Sequence, residues 1–211
     1  MQVLNVKKFS LAPNGVFWSI QGEGHLRGFQ MTFVRLAGCS VGCSQCDTDY
    51  SVKEKISGDE LIKRIESVRP DGDRDRWVWI TGGEPTDNDL RPLLGLLKGA
   101  GYSTALATSG VRRFVPPVDW LSVSPHSIMP GNFLQRYGNE IKLIDGLNGL
   151  NIDDWVKAWP DSETDFMYRY VQPMSVGNKE DLESLERCLG FLRKHPRWSL
   201  SRQDHIYWRL S

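Results

Sequence analysis

Three cysteines lie within a segment of eight residues and are the side chains of this sequence best suited to metal chemistry. Cys39, Cys43 and Cys46 follow one another at spacings of four and three residues. A short loop can bring their sulfur atoms together around one soft metal centre. A structural zinc site or an ordinary iron-sulfur cluster takes four protein ligands, whereas three cysteines leave one coordination position free. The spacing therefore predicts a metal site that can bind a further molecule.

A structural zinc clasp is the alternative interpretation of the same cysteines. His25 or Cys188 could supply a fourth ligand, which would close the site. Cys188, however, lies among Leu185, Leu189 and Leu192 at helical spacing. This spacing favours a position for Cys188 in the hydrophobic core.

The cysteines follow the first of several apolar segments that have the length and composition of buried strands. Six strands are predicted, over residues 31–37, 77–81, 103–108, 121–124, 140–144 and 166–171. Helical patterns separate some of them, with a capping box at 57–60 and leucine spacing over 90–97. A last helix is expected from about residue 178, and a weaker one over 151–159. This alternation predicts an α/β fold with a mostly parallel sheet.

Polar motifs follow several of the predicted strands. Gly-Gly-Glu-Pro occupies 82–85, Ser-Pro-His occupies 124–126 and Gln-Pro occupies 172–173. The carboxyl ends of parallel strands meet at one edge of a sheet, where α/β proteins gather their functional groups. We therefore expect these motifs and the cysteine loop to form one active site.

The amino-acid composition limits the kinds of molecule that this chain is expected to bind. The chain has 211 residues, with 40% hydrophobic and 25% charged content, which fits a single domain over 1–211. Its 26 basic and 26 acidic residues balance, so we expect no nucleic-acid partner and a small-molecule substrate. We find neither a signal peptide nor an apolar run of the ~20 residues that a membrane span needs. These features predict a cytoplasmic protein, in which clustered cysteines favour metal or redox chemistry.

The cysteine spacing after the first strand and the Gly-Gly-Glu-Pro loop after the second resemble the radical S-adenosylmethionine superfamily. The resemblance implies an abbreviated, partial (β/α) barrel of about six mostly parallel strands with few helices. It also implies a 4Fe-4S cluster on Cys39, Cys43 and Cys46, whose fourth iron binds S-adenosyl-L-methionine (SAM). A radical derived from SAM then abstracts a hydrogen atom from the substrate.

Further segments resemble the 7-carboxy-7-deazaguanine synthase (QueE) family. They lie at 17–24, 33–39, 46–48, 138–143, 171–174 and 198–205. The resemblance implies ring contraction of 6-carboxy-5,6,7,8-tetrahydropterin to 7-carboxy-7-deazaguanine with loss of ammonia, on a route to 7-deazapurine nucleosides. It implies a substrate-binding segment at about 15–30 and a tail at about 196–211 that closes the site. A homodimer and a flavodoxin-like electron donor are also implied.

Roles for individual residues follow from the resemblance. Arg35 would bind the substrate carboxylate through two parallel hydrogen bonds, although an arginine on a half-buried strand can also face solvent. His205 would hydrogen-bond the pterin, or else be a structural histidine. The remaining substrate-binding residues are expected to be Ile20, Gln21, Gly22, Glu23 and Thr81.

The resemblance also assigns the cofactor face and a magnesium ligand. Thr48 would bind Mg²⁺ through its hydroxyl, although the residue by itself favours a turn hydroxyl that caps the cluster loop, and only the resemblance reverses this. Gly82 and Gly83 lack a Cβ and so allow the backbone to approach a ligand closely. The expected SAM-binding residues are Gln45, Asp47, Gly82, Gly83, Glu84, Ser124, Pro125, His126, Gln172, Pro173, Met174 and Ser175.

The chain departs from the family pattern at several positions. An aromatic residue usually precedes the third cysteine, where this chain has Gln45. Glu and Lys usually stand at the positions of Ala107 and His126, and Thr and Lys at those of Asp204 and Ile206. We expect the reaction type to persist, with a difference in affinity or in the fate of the product. The alternative functions are another radical SAM enzyme, such as a glycyl-radical activase, and a non-enzymatic metal-binding module.

Overall fold

The computed structural model describes residues 8–46, 48–113, 116–177 and 179–210. Eleven strands are present in this part of the chain: β1 (Lys8–Ile20), β2 (Gln30–Leu36), β3 (Glu54–Ser57), β4 (Trp77–Gly82), β5 (Ser103–Thr108), β6 (Trp120–Val123), β7 (Tyr137–Asp145), β8 (Asp165–Pro173), β9 (Ser175–Val176), β10 (Lys179–Glu180) and β11 (Ser199–Leu200). The α-helices are α1 (Gly58–Val68), α2 (Arg91–Gly99), α3 (Ile152–Ala158), α4 (Leu182–Lys194) and α5 (Asp204–Trp208). The predicted roles of Asp47 and Asn178 lie outside the described residues.

Nine of the strands form one sheet in the order β11-β8-β7-β6-β5-β4-β2-β1-β3. Neighbours from β2 to β8 are parallel, and β11 is parallel to β8. The six predicted strands correspond to β2 and β4 to β8, which confirms the predicted mostly parallel sheet with few helices. β1 and β3 are antiparallel additions at one end, and β9 with β10 forms a separate ribbon.

The long strand β1 was not predicted from the sequence. Residues 12–15, Ala-Pro-Asn-Gly, have the composition of a turn. In the structure they form an irregularity inside the strand, because the pairing register with β2 shifts between Leu11 and Val16. A bulge of this kind bends a strand without ending it.

Alternation along the strands separates the core from the functional face. Val34, Ile80 and Leu143 belong to the main hydrophobic cluster, together with residues of the helices α1, α2 and α4. Their sequence neighbours on the same strands, among them Arg35 and Thr81, point to the opposite face. One face of the sheet is therefore packed by helices, and the other is available for a site.

Three of the predicted helices begin at side-chain caps. The Ser57 hydroxyl accepts a hydrogen bond from the Glu60 N–H at 3.2 Å, which confirms the predicted start of α1. Asn151 caps α3 in the same way. The last long helix starts later than predicted, at Leu182, because β9 and β10 precede it and Asp181 provides its cap. No helix among the described residues is long and apolar enough to cross a membrane.

Candidate functional site

A cavity of about 540 Å³ lies at the functional face and collects most of the predicted site residues. The predicted residues that line it are Ile20, Gln21, Gly22, Glu23, Arg35, Cys39, Cys43, Gln45, Cys46, Thr48, Thr81, Gly82, Gly83, Glu84, Ser124, His126, Met174, Ser175 and His205. Pro125, Gln172 and Pro173 lie outside this lining and are buried. The structure thus brings the three cysteines and the substrate and cofactor candidates to one place.

The two glycines of the Gly-Gly-Glu-Pro loop permit close contact with the chain that leads into the cysteine loop. A Cβ on Gly83 would overlap the carbonyl oxygen of Gly38, and one on Gly82 would overlap that of Leu36. The Gly83 N–H donates to the Leu36 carbonyl and the Glu84 N–H to the Gly38 carbonyl, each at 3.0 Å. The sequence suggested close approach to a ligand, but in the structure the close approach is to the protein's own backbone.

The three thiols are free and lie in the cavity wall. Sγ of Cys43 lies 3.0 Å from Nδ1 of His126 and 3.2 Å from Nδ2 of Asn148. Burial raises the pKa of the Cys43 thiol, and the neighbouring Cys46 and Cys39 add to this effect, while the hydrogen bond from Asn148 opposes it. Cys39 and Cys46 therefore lie close enough to Cys43 to disfavour a negative charge on its sulfur.

Both residues considered as a fourth zinc ligand lie elsewhere. The His25 ring stacks on Tyr168 at 3.6 Å between centroids, and its Nδ1 lies 3.2 Å from the Tyr170 hydroxyl. Cys188 lies on the buried face of α4 and is completely buried, which raises its pKa to about 12. Neither lines the cavity, so the zinc clasp formed with either residue is wrong.

The donor set suits an iron-sulfur cluster better than an isolated ion. Within the described ranges, no group of three or more His, Cys, Asp and Glu side chains is placed to hold a single metal ion. Three thiols on one loop, beside a cavity and without a fourth thiol, are the donors expected for a cluster with one open iron. The residues therefore fit that group by their chemistry.

Asp87 fixes the start of the cysteine loop. Its Oδ2 accepts from the Ser40 N–H at 2.7 Å, and its Oδ1 accepts from the Ser40 hydroxyl at 2.8 Å. The Arg112 guanidinium donates to Oδ1 at 2.7 Å. Burial opposes ionisation of Asp87, but the hydrogen bonds from Arg112 and Ser40 outweigh it and lower the pKa of this carboxyl. This residue was not predicted, because its partner Ser40 is 47 positions away in the sequence.

Glu84 is buried and its carboxylate is already engaged by protein donors. Oε1 accepts from the N–H and hydroxyl of Thr86 and from the hydroxyl of Thr108. Oε2 accepts from the N–H and hydroxyl of Ser109. These five hydrogen bonds tie the end of β4 to the end of β5. They hold in place the turn that contacts the cysteine loop.

Arg35 faces the cavity, so the solvent-facing alternative is wrong. Val34 and Leu36 on either side of it belong to the hydrophobic core, which directs Arg35 to the opposite face of β2. Its guanidinium carbon lies 4.6 Å from the centroid of the Phe17 ring on the neighbouring strand β1. The ring supports the flat guanidinium group from one side.

Glu23 lies at the centre of a polar network in the cavity wall. Its Oε2 forms an ion pair with Nζ of Lys142, and its Oε1 accepts from Nε2 of Gln172 at 3.1 Å. Gln172 in turn accepts from the Ser201 hydroxyl at 2.7 Å, and that hydroxyl accepts from the Gly24 N–H. The network joins the loop after β1 to strands β7 and β8 and to the tail.

The tail and the loop after β1 are in direct contact at His205. The Asp204 N–H donates to the Gly22 carbonyl at 3.1 Å, and a Cβ on Gly22 would come within 2.5 Å of Nδ1 of His205. Arg27 forms an ion pair with Asp204. His205 is partly exposed and lines the cavity, so the tail forms part of its wall.

Two departures from the family pattern occupy defined positions. The side-chain oxygen of Gln45 accepts from the Asn148 N–H at 3.0 Å, which links the cysteine loop to the turn after β7. His126 is largely withdrawn from water, and this burial lowers its pKa. Thr48 also lines the cavity, while Asp47 lies outside the described residues.

Several residues of the lining were not among the predicted site residues. They are Phe17, Ser19, Phe33, Val41, Trp79, Ala107, Ser109, Ser122, Lys142, Ile144, Leu147, Gly177, Gln203 and Ile206. Two of them, Phe33 and Trp79, lie two positions before the predicted residues Arg35 and Thr81 on the same strands. The period of two along a strand would have identified these positions.

The chain is similar to known proteins of one family in both sequence and structure. No protein-family model matches the chain. It is 32% identical to the 7-carboxy-7-deazaguanine synthase of Burkholderia multivorans, covering 93% of this chain and 97% of that protein. It is 34% identical to the 7-carboxy-7-deazaguanine synthase of Escherichia coli K12, covering 92% and 96%. The crystal structure of QueE from Escherichia coli superposes with a TM-score of 0.69 at 27% identity, covering 93% of this chain and 94% of that one.

Proposed function

This chain belongs to the 7-carboxy-7-deazaguanine synthase family, and we propose that the cavity is where it carries out this reaction. It converts 6-carboxy-5,6,7,8-tetrahydropterin to 7-carboxy-7-deazaguanine with loss of ammonia. The observation that supports the site is the placement of three free thiols, Arg35 and Glu23 around one cavity. A thiol loop and a pair of opposite charges for a polar substrate are what this radical reaction requires.

Cys39, Cys43 and Cys46 would hold a 4Fe-4S cluster. When bound, the cluster and SAM supply the radical chemistry that removes a hydrogen atom from the substrate. The protein's contribution is to bind, orient and exclude water. The backbone at Gly82 and Gly83 and the side chains of Gln45, Ser124, His126, Met174 and Ser175 line the cofactor part of the cavity in this proposal.

The substrate would be held between two oppositely charged groups. Arg35 offers a planar pair of N–H donors to the carboxylate of the pterin, and Phe17 fixes the plane of that guanidinium. Glu23 and the Gln21 side chain offer acceptors to the N–H groups of the ring. Thr48 would bind Mg²⁺, whose other ligands would be substrate oxygens and water.

The tail completes the substrate part of the site in this proposal. His205 contacts the loop at Gly22 and faces the cavity, so it can donate to or accept from the pterin. A wall formed by the tail would also keep water from a reactive intermediate. We extend the proposal to a cytoplasmic homodimer that receives its electron from a flavodoxin-like donor, as the resemblance to the family implies.

Product analysis after anaerobic reconstitution with iron and sulfide tests the proposed function. With SAM, reductant and the carboxypterin, we expect both 5′-deoxyadenosine and 7-carboxy-7-deazaguanine by mass spectrometry. Cleavage of SAM without the deazaguanine would instead indicate another radical SAM enzyme, and bound zinc without SAM cleavage would indicate a metal-binding module. Cys43→Ala should abolish both products, whereas Cys188→Ala, a change in the core outside the cavity, should retain them.

A further inference from the structure

Lys142 places an ammonium group in the cavity wall from the middle of a buried strand. Its neighbours on β7, Ile141 and Leu143, belong to the hydrophobic core, and its own side chain is 10% exposed. An ammonium group in this position has lost most of its hydration and needs an acceptor. Glu23 supplies one, through an ion pair between its Oε2 and Nζ of Lys142.

The carboxylate of Glu23 keeps accepting capacity on its cavity side. A carboxylate has about four lone-pair positions, and Lys142 and Gln172 each donate one hydrogen bond to it, on different oxygens. Glu23 and Lys142 both line the cavity, whereas Gln172 lies behind it. Gln203 also contributes a hydrogen bond to this carboxylate, and the position that these three donors leave is available to a ligand that carries an N–H donor.

We propose that Lys142 is a positioning residue of the active site, which holds Glu23 in place as an ionised acceptor for the N–H groups of the pterin ring. This inference rests on the proposed function. Lys142 acts through Glu23 and is distinct from Arg35, which binds the carboxylate at the other end of the substrate. The backbone of Lys142 is itself fixed, because its carbonyl accepts from the Ser124 hydroxyl at 2.9 Å.

The electrostatics of Glu23 support this role. Burial alone would raise the pKa of Glu23, but the charge and hydrogen bond of Lys142, together with smaller contributions from His205 and Gln203, outweigh it. The net result is a lowered pKa, so the carboxylate persists as the pH falls. Without Lys142, burial acts with less opposition and Glu23 takes up a proton at a higher pH. A protonated carboxyl would present a hydroxyl where the substrate also presents a donor.

The test measures binding of 6-carboxypterin. This ligand has no saturated ring carbon from which a hydrogen atom could be abstracted, so its affinity reports binding without turnover. The cluster-loaded protein with SAM is titrated at about pH 6 and about pH 8.5, on either side of the range in which an unpaired buried carboxyl titrates. We expect Lys142→Met to weaken binding about tenfold or more near pH 6. The loss should shrink toward wild-type affinity near pH 8.5. Lys142→Arg should retain affinity at both values, because a guanidinium can also pair with Glu23.

A matched control and a double variant make the result specific. Lys157→Met removes an exposed lysine that pairs with Asp154 on α3 and should leave affinity unchanged. If Lys142 acts through Glu23, Lys142→Met should have little further effect in a Glu23→Gln background. Additive losses in the double variant, or a loss in Lys142→Met that does not change with pH, would overturn the proposal.

Product formation by the wild-type protein distinguishes a failure of this inference from a failure of the proposed function. Wild-type protein that cleaves SAM but makes no 7-carboxy-7-deazaguanine contradicts the proposed function itself. Wild-type protein that makes the product, combined with unchanged pterin binding in Lys142→Met, contradicts only the role of Lys142. Circular dichroism and iron content of each variant confirm that the chain is folded and loaded before the comparison is made.

Discussion

The carboxylate of Asp87 accepts hydrogen bonds from both the backbone N–H and the hydroxyl of Ser40, at 2.7 and 2.8 Å. Ser40 directly follows the first cysteine of the loop, and Asp87 lies in the turn after β4. The loop that carries the thiols is thus attached at its start to the element that follows the second parallel strand. The later part of the loop is held by the turn after β7 instead, where Asn148 donates to the side chains of Gln45 and Cys43.

Replacement of Asp87 by alanine should loosen the cysteine loop. The change removes two hydrogen bonds to Ser40 and one to Arg112, and each bond to a charged group contributes about 1.5–3 kcal/mol. We expect faster amide exchange in the peptide that contains 39–46 and less iron per chain after reconstitution. Hydrogen-exchange mass spectrometry and iron analysis provide the measurements.

Asp89→Ala is the matched control for that variant. Asp89 is an exposed neighbour that pairs with Arg91 at the surface, so its loss should leave exchange in the loop and iron content unchanged. Equal exchange rates in Asp87→Ala and wild-type protein would show that Ser40 does not depend on this contact.

Gly83→Ala should damage the same junction from the other side. The new methyl group would overlap the Gly38 carbonyl and approach Cβ of Cys39 at 2.9 Å, so the backbone of one segment must move. We expect a loss of about 2–4 kcal/mol in the free energy of unfolding, comparable to severe overpacking or backbone strain. Urea denaturation of the metal-free protein measures it.

Gly95→Ala makes the same chemical change, but we expect it to raise the free energy of unfolding. Gly95 lies inside α2, and nothing would lie within 4 Å of an added Cβ. This variant should gain about 0.5–1 kcal/mol, because alanine favours a helix over glycine. A similar midpoint for both glycine variants would contradict the steric account of Gly83.

Local pattern was sufficient to predict much of the fold. The predicted segments that correspond to β2 and β4 to β8 are short, apolar and followed by polar turns. Helix α1 begins at the predicted Ser57 cap. β1 could not be predicted in this way because residues 12–15 resemble a turn, while pairing with β2 carries the strand past them. The pairing is a tertiary effect that local composition does not encode.

The site was predictable where a motif or a resemblance marked a residue, and not where a role depends on distant partners. The Glu23–Lys142 pair joins positions 119 residues apart. Lys142 looked like an ordinary polar residue of a strand, and only the order of strands in the sheet places it beside the loop after β1. Asp87 was missed for the same reason, since its partner Ser40 lies on another loop.

Glu84→Gln should destabilise the protein although it preserves the size of the side chain. The Glu84 carboxylate accepts all five of its hydrogen bonds. In glutamine, the amide nitrogen that replaces Oε1 or Oε2 cannot accept, and it would point at donor groups of Thr86, Thr108 or Ser109. Leaving buried donors unpaired costs about 1–3 kcal/mol. Thermal unfolding measures the loss, with Glu186→Gln at an exposed position of α4 as the control. No change in Tm would indicate that the hydroxyl groups of Thr86, Thr108 and Ser109 reorient without cost.

Arg35→Ala and Arg35→Lys together test how the substrate carboxylate is recognised. Arg35→Ala should raise KM for the carboxypterin by about tenfold or more, because a charge-assisted bidentate contact is lost. Its cluster absorption spectrum should match wild type, because Arg35 lies on strand β2 and is not one of the three thiols proposed to hold the cluster. Lysine keeps the charge but cannot form two parallel hydrogen bonds or stack flat on Phe17, so Arg35→Lys should recover part of the loss. Full recovery by lysine would mean that charge alone is recognised, and an unchanged KM in Arg35→Ala would place the carboxylate elsewhere in the cavity.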